Sequence, residues 1–165
     1  MRRRKAVEAL RARARPKTVL VICYGNICRS PVAGALLARA LTPLGIEVQS
    51  AGFIGFNRPA PREAVAAAQR HAIDLSAHRS RLVTSAMART TDLIVVMEAS
   101  QQQKLRDHYG RSATGVLVLG DLDPAPLETR TIRDPVDQQQ DVFERVYERI
   151  ARCVGELVTI LRTQP

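Results

Sequence analysis

TVLVIC at residues 18–23 runs directly into YGNICRSP at residues 24–31, and this passage decides the fold. Its first half is a short, continuous apolar run rich in β-branched residues, which predicts a buried strand. Its second half leads into apolar residues at helical spacing, with Ser30 as the expected N-cap and Pro31 at the first helical position. We therefore predict a strand, a tight loop and a helix in immediate succession.

Strand and helix patterns alternate along the rest of the chain. Apolar runs predict three further strands, at 45–52, 92–98 and 115–121, and helical spacing predicts helices at 61–73, 99–109 and 141–163 with a short one near 87. This alternation favours a single α/β domain, in which a central four-stranded parallel sheet carries helices on both faces. Ligands of such sheets bind beyond the C-terminal ends of the strands, where the loop after the first strand lies.

The net charge of +9 is concentrated at the N-terminus. Residues 1–17 hold eight of the 25 Lys and Arg residues and a single Glu, so the remainder of the chain is nearly neutral. Aromatic residues make up only 4% of the sequence. These features disfavour nucleic acid as the main partner. We expect residues 1–16 to form a flexible basic extension that contacts acidic surfaces.

Several broad classes of protein are disfavoured by the composition. No apolar stretch is long enough for a membrane span or resembles a signal peptide, so we expect a soluble cytoplasmic protein. Three cysteines are an odd set, which fits reduced thiols better than a disulfide framework. The histidines and cysteines form no zinc-like cluster, and neither common glycine-rich nucleotide motif occurs. We expect no metal and no cofactor.

The loop after the first strand has the properties of an anion site. A loop that enters a helix N-terminus points backbone N–H groups and the positive end of the helix dipole at one place. Cys23 at its base would have its thiolate stabilised there by Arg29 and Ser30, which would make it a nucleophile. Arg29 can hold two phosphate oxygens at once, and Gly25 and Asn26 tolerate left-handed backbone conformations. A purely structural role for buried cysteines stays open at this point.

The string VICYGNICRSP at 21–31 closely resembles the V-C-x-G-N-x-C-R-S-P motif of low-molecular-weight protein tyrosine phosphatases. Further landmarks of that family follow in its order, namely SAG at 50–52, DLSAHRSR at 74–81, DLIVVME at 92–98 and I-x-D-P at 132–135. The resemblance covers roughly residues 17–162. It implies a phosphatase domain at 17–165 that hydrolyses phosphotyrosine and small aryl phosphates through a phosphocysteine, without a metal ion.

The resemblance also implies individual roles. Cys23 would be the nucleophile, Arg29 would clamp the phosphate, and Asp134 would be the general acid, although Asp123 also precedes a proline and competes with it on sequence alone. The phosphate would be bound by Tyr24, Gly25, Asn26, Ile27, Cys28, Arg29 and Ser30. A polar network of Asn26, Ser30, Ser50 and His78 would support the loop. Cys28 would lie beside Cys23, where a reversible disulfide could protect the nucleophile.

The chain departs from the family pattern after the D-P pair, where Val136 and Asp137 stand in place of frequent aromatic residues. Stacking on a substrate phenol would then come from Tyr24, Phe53 or Phe56. The resemblance suggests a monomer whose protein substrate, in a bacterium, is a tyrosine kinase of exopolysaccharide production.

Two alternative functions remain on the same pattern. A thiol-dependent arsenate reductase would need two further cysteines in the segment after the motif, and none lies between Cys28 and Cys153. A non-catalytic phosphoprotein-binding module would be expected to lack the nucleophile or the acid, whereas Cys23 and Asp134 are both present.

Overall fold

The computed structural model describes residues 1–125 and 129–165 and contains a four-stranded sheet. Its strands are β1 (Thr18–Cys23), β2 (Glu47–Gly52), β3 (Leu93–Val96) and β4 (Val116–Val118). They lie in the order β2-β1-β3-β4, and every neighbouring pair is parallel. The predicted parallel sheet is confirmed. The strand predicted at 115–121 ends early because the chain turns into a short 3-10 helix at Leu119–Leu122.

Six α-helices occur in the described residues: α1 (Arg2–Arg11), α2 (Arg29–Leu41), α3 (Arg62–Gln69), α4 (Ser85–Thr90), α5 (Ala99–Tyr109) and α6 (Gln140–Arg162). A second 3-10 helix follows α2 at Thr42–Leu44. The described residues include no helix that combines the length and the apolar character needed to cross a membrane.

The side chains of β1 alternate between two apolar cores, which explains why nearly the whole strand is apolar. Val19 and Val21 face the core formed with α2, α3 and α6. Leu20 and Ile22 face the second core, which includes Leu105 of α5. All four β1 side chains are at most 1% exposed. The prediction of helices on both faces of the sheet is therefore confirmed.

The start of α2 differs from the sequence prediction. The helix begins at Arg29 with Cys28 as its N-cap, and no side chain caps it. Ser30 is therefore not the N-cap, and that prediction is wrong. Its hydroxyl lies inside the first turn, fully buried, 3.0 Å from the Sγ atom of Cys23. The residue contributes to the loop rather than to the end of the helix.

The basic N-terminal segment is helical and packed, in contrast to the flexible extension that its composition suggested. Leu10 of α1 is only 6% exposed. The side-chain amide of Gln164 donates to the carbonyl oxygen of Leu10 at 2.6 Å, and Arg15 donates to the carbonyl oxygen of Gln164 at 2.7 Å. Arg3 pairs with Glu156 of α6. Few residues of α1 are apolar. Because arginines surround them, the amphipathic pattern of the helix is hard to recognise in the sequence.

Candidate active site

Residues 24–28, here called the active-site loop, connect the C-terminal end of β1 to the N-terminus of α2. The backbone N–H groups of Phe53 and Ile54 both donate to the carbonyl oxygen of Tyr24, which ties the loop to the end of β2. Gly52 lies directly beneath the loop, where a Cβ atom would come within 2.8 Å of the backbone nitrogen of Asn26. The close approach of these two backbone segments therefore requires glycine at position 52.

Asn26 organises the centre of the loop. It is fully buried and has a positive φ of 52°. Its side-chain amide donates to the hydroxyl oxygens of Ser30 (2.8 Å) and Ser50 (3.0 Å), and its Oδ1 atom accepts from the N–H of Arg81 (3.0 Å). His78 Nε2 donates to its carbonyl oxygen at 2.7 Å. The structure thus brings the four residues of the expected support network together around one loop conformation.

The loop leaves its own N–H groups available to a ligand. Within the described residues, the backbone N–H groups of residues 24–28 donate to no protein acceptor. Cys23 lies at the base of the loop, 2% exposed, with its Sγ atom near the first turn of α2. Unpaired N–H groups next to a helix N-terminus form an anion-binding arrangement. An anion held there would lie against the sulfur of Cys23.

Arg29 connects this loop to the segment that carries the expected acid. Its guanidinium is buried, and Nη1 donates to the carbonyl oxygen of Ile132 (2.9 Å) and to Glu98 (3.4 Å). Its Nη2 donates to Asp134 at 3.1 Å. The Nε atom is buried and has no hydrogen-bond partner among the described residues. The Nε–H group of Arg29 can therefore donate to a phosphate oxygen.

Asp134 and Asp123 occupy very different environments. The side chain of Asp134 is 35% exposed, contacts Arg29, and accepts the N–H of Val136 at 3.2 Å. The side chain of Asp123 is 2% exposed and is paired with Arg149 and Arg152 at 2.9 Å each. Of the two aspartates, Asp134 is therefore the one that lies beside Arg29.

The ionisation of Asp123 follows from those partners. Burial raises its pKa, but hydrogen bonds from Arg152, the Ala125 N–H and Arg149 outweigh burial and hold the pKa below its usual value. At 2% exposure between two arginines, Asp123 is a buried ion-pair partner that a substrate cannot reach. Its contacts tie α6 to the segment that precedes the active-site residues.

A tyrosine that the sequence reasoning missed anchors the end of the active-site loop. The hydroxyl of Tyr147, on α6, donates to the carbonyl oxygen of Cys28 at 2.7 Å. The side chain is fully buried against Phe143, and burial raises its pKa, so the hydroxyl stays protonated as a donor. Its position four residues after Phe143 in the apolar stripe of α6 was the available signal. Arg58, also missed, donates to the carbonyl oxygen of Gly25 at 3.3 Å.

A family model described as "Low molecular weight phosphotyrosine protein phosphatase" matches residues 18–165. The chain belongs to this family. The probable low molecular weight protein-tyrosine-phosphatase EpsP of Ralstonia nicotianae is 38% identical to it over 147 residues, which are 88% of this chain and 97% of that protein. The predicted family and enzyme class are confirmed.

Solved structures agree with this assignment. The tyrosine phosphatase Wzb from Escherichia coli K30, in complex with sulphate, is 30% identical with a TM-score of 0.76, over 87% of this chain and 97% of that one. YwlE arginine phosphatase, as a cysteine-to-serine mutant with a phosphorylated active-site serine, is 25% identical with a TM-score of 0.78. That match covers 88% of this chain and 96% of the other.

The other two cysteines of this tyrosine phosphatase are buried thiols. Burial raises the pKa of Cys28, and the nearby carboxylate of Asp134 raises it further. Burial also raises the pKa of Cys153 to about 12, and Cys153 lies fully buried on α6 within the larger core. Cys153 is thus a packing residue. The arsenate reductase alternative is not favoured.

Exposed or partly exposed aromatic and aliphatic side chains, here called the rim, lie on the active-site loop and in the segments that follow β2 and Asp134. Tyr24 is 47% exposed, and the Nζ atom of Lys104 lies 5.8 Å from its ring centroid and 5.0 Å from that of Phe53. Val136, two residues after the expected acid, is 36% exposed. Phe56 is 75% exposed. Across residues 1–125 and 129–165, no group of three or more His, Cys, Asp or Glu side chains is placed to hold a metal ion.

Proposed function

We propose that this phosphatase hydrolyses phosphotyrosine in proteins, and small aryl phosphates, with Cys23 as nucleophile, Arg29 as phosphate clamp and Asp134 as general acid. The observation that carries the proposal is the 3.1 Å hydrogen bond from Arg29 to Asp134. This contact supports Asp134 as the acid, because Arg29 follows directly on the active-site loop, whereas the competing Asp123 is buried between two arginines. The phosphorylated active-site serine of the YwlE mutant supports the first cysteine of the motif as the residue that takes the phosphoryl group.

The first chemical step transfers the phosphoryl group to sulfur. The thiolate of Cys23 attacks phosphorus, the S–P bond forms, and the bond from phosphorus to the phenolic oxygen breaks. Asp134 gives its proton to the departing phenolate, so neutral phenol leaves. The N–H groups of residues 24–28 and the Nε atom of Arg29 hold the equatorial oxygens, where negative charge is spread in the transition state.

The second step returns the enzyme to its starting state. A water molecule attacks phosphorus while the carboxylate of Asp134 takes one of its protons, and the S–P bond breaks. Inorganic phosphate and the Cys23 thiolate result, so no oxidant or reductant is consumed. The hydroxyl of Ser30, 3.0 Å from the sulfur, donates a hydrogen bond that stabilises the departing thiolate.

The rim supports an aryl substrate. Tyr24 and Phe53 offer ring faces near the mouth of the site, and Val136 offers an apolar edge. We infer that these side chains contact the phenol ring in place of the aromatic residues that the family often has after the D-P pair. For the physiological substrate we propose a bacterial tyrosine kinase, acted on by a monomeric enzyme in the cytoplasm. A test is the loss of phosphotyrosine from such an autophosphorylated kinase.

The experiment compares four phosphate compounds in the presence of EDTA: para-nitrophenyl phosphate, phenyl phosphate, a phosphotyrosine peptide and phosphoarginine. We expect EDTA to leave the wild-type rate unchanged and Cys23→Ser to show no turnover. Asp134→Asn should slow phenyl phosphate, with its poor leaving group, by about 10²–10⁴-fold and para-nitrophenyl phosphate much less.

The matched control is Asp123→Asn, which removes the same charge from the other Asp-Pro pair. It should leave the dependence of the rate on the leaving group unchanged. Equal leaving-group effects in the two variants would refute the assignment of the acid. A wild-type enzyme that prefers phosphoarginine to the phosphotyrosine peptide would refute the proposed substrate.

A further inference from the structure

A groove of about 510 Å³ lies between α1 and the edge of the sheet. Strand β4, at the end of the strand order, forms one side of it, and α1 forms the other. Its apolar lining includes Ala6 and Ala9 of α1 and Leu117 of β4. The groove is distinct from the catalytic centre, because neither the active-site loop nor Asp134 lines it.

The charged lining of this groove, here called the α1 groove, is mainly positive. Among the described residues, Arg2, Lys5, Arg13 and Arg130 line it, together with one acidic residue, Asp121. Arg130 and Asp121 bind each other, with Nε of the arginine 2.9 Å from Oδ1 of the aspartate. Three cations are therefore left without an acidic partner among the described residues that line the groove.

The state of those cations favours an anionic ligand. Arg2 and Lys5 form no ion pair within the described residues, and both are exposed. Arg13 Nη2 donates to the carbonyl oxygen of Asp92 at 3.0 Å. Its Nη1 atom is buried and has no hydrogen-bond partner among the described residues. A buried donor of this kind gains from a carboxylate that reaches it.

We propose that the α1 groove binds an extended acidic segment of a partner protein. Carboxylates of the segment pair with Arg2, Lys5 and Arg13, and its apolar side chains pack on Ala6, Ala9 and Leu117. The concave shape favours a polypeptide over a flat lipid surface, which would reach the rim but not the apolar floor. Within residues 1–125 and 129–165, no aromatic side chain lines the groove for base stacking, which disfavours nucleic acid.

The groove depends on a part of the chain that the family match leaves out. The match begins at residue 18, whereas α1 ends at Arg11. Partner binding at this surface therefore adds to the phosphatase chemistry rather than forming part of it, and it can be tested without measuring catalysis.

The test measures fluorescence anisotropy of a fluorescein-labelled peptide that alternates Glu and Leu over ten positions. Lys5→Glu should weaken binding by about tenfold, since it removes one attraction and adds a repulsion. The matched control is Arg4→Glu, which makes the same charge change at the adjacent position, outside the groove. We expect it to change affinity by less than about twofold.

A second variant tests the apolar lining of the α1 groove without changing the charge of the groove. Ala9→Trp fills the groove from the helix side and should abolish peptide binding. Helicity by circular dichroism and hydrolysis of para-nitrophenyl phosphate should be unchanged in all three variants, which excludes unfolding as the cause.

Three results would overturn the proposal: equal weakening by Lys5→Glu and Arg4→Glu, undiminished binding to Ala9→Trp, or no binding of the peptide to the wild type. Vesicles of phosphatidylserine and phosphatidylcholine serve as a further probe. If Lys5→Glu and Ala9→Trp reduce vesicle binding while the peptide does not bind, the ligand is a lipid surface and the assignment to a polypeptide is wrong.

Discussion

Substitution Tyr147→Phe tests whether α6 positions the active-site loop. The change removes one oxygen atom, whose hydrogen bond to the carbonyl oxygen of Cys28 is 2.7 Å long and buried. It keeps the ring, which packs edge to face on Phe143 with centroids 6.2 Å apart. The carbonyl oxygen of Cys28 then loses a partner in a fully buried environment, which should cost about 1–3 kcal/mol of the free energy of unfolding.

The same change should be visible in catalysis. Cys28 is the N-cap of α2 and the last residue of the active-site loop, so relaxation of its carbonyl group shifts the N–H donors before it. We expect kcat/KM for para-nitrophenyl phosphate to fall by about three- to tenfold, since a loss of 1.36 kcal/mol in transition-state binding is tenfold in rate. Urea unfolding gives the stability, and steady-state kinetics gives the rate.

Tyr109→Phe is the matched control, because Tyr109 is partly buried on the other side of the sheet and its hydroxyl donates to none of the described residues. Its unfolding free energy should change by less than about 0.5 kcal/mol. Equal effects of the two substitutions on stability would refute the buried hydrogen bond. A loss of stability in Tyr147→Phe with kcat/KM unchanged would refute the positioning role.

Three further substitutions follow from the structure. Gly52→Ala places a methyl group 2.8 Å from the backbone nitrogen of Asn26 and should lower both activity and melting temperature, whereas Gly155→Ala, with nothing within 4 Å, should lower neither. Leu10→Ala should reduce the unfolding free energy by about 2–3 kcal/mol if α1 is docked, and urea unfolding with no change would contradict the packed helix. The pKa of Asp123 is lower in the folded protein, so its contribution to stability is present above the unfolded pKa of about 4 and is lost as pH falls through the folded value. Asp123→Asn should therefore lower the unfolding free energy at pH 7 and lose this effect in acid. A loss of unfolding free energy that is constant with pH would contradict this.

The strand, loop and helix at residues 18–41 could be predicted because the information is local. Every interior position of TVLVIC faces a core, so the sequence is apolar without alternation. The error at Ser30 has a physical cause. Capping rules place a polar residue before the apolar repeat, but here the helix starts two residues earlier, at Arg29, and the hydroxyl of Ser30 turns toward the sulfur of Cys23.

The site residues that could not be predicted from the sequence contact partners that are far away along the chain. Tyr147 lies 119 positions from the carbonyl group it binds, and nothing in the spacing of α6 shows which loop the helix covers. The choice between Asp123 and Asp134 was near even on residue type alone. Arginines from distant elements distinguish the two, with Arg29 beside Asp134 and Arg152 beside Asp123, and this contrast is the ground for proposing Asp134. Helix α1 was missed because basic residues outnumber its apolar contacts.

The hydrogen bond from Arg29 to the carbonyl oxygen of Ile132 has a consequence for how this enzyme can diverge. A backbone carbonyl is supplied by every residue type, so the anchor that fixes the segment carrying Asp134 does not depend on the side chain at position 132. Substitutions farther along, at Val136 and Asp137, can therefore change the shape of the rim while Asp134 keeps its place. Substrate preference and phosphoryl-transfer chemistry are thereby free to evolve separately.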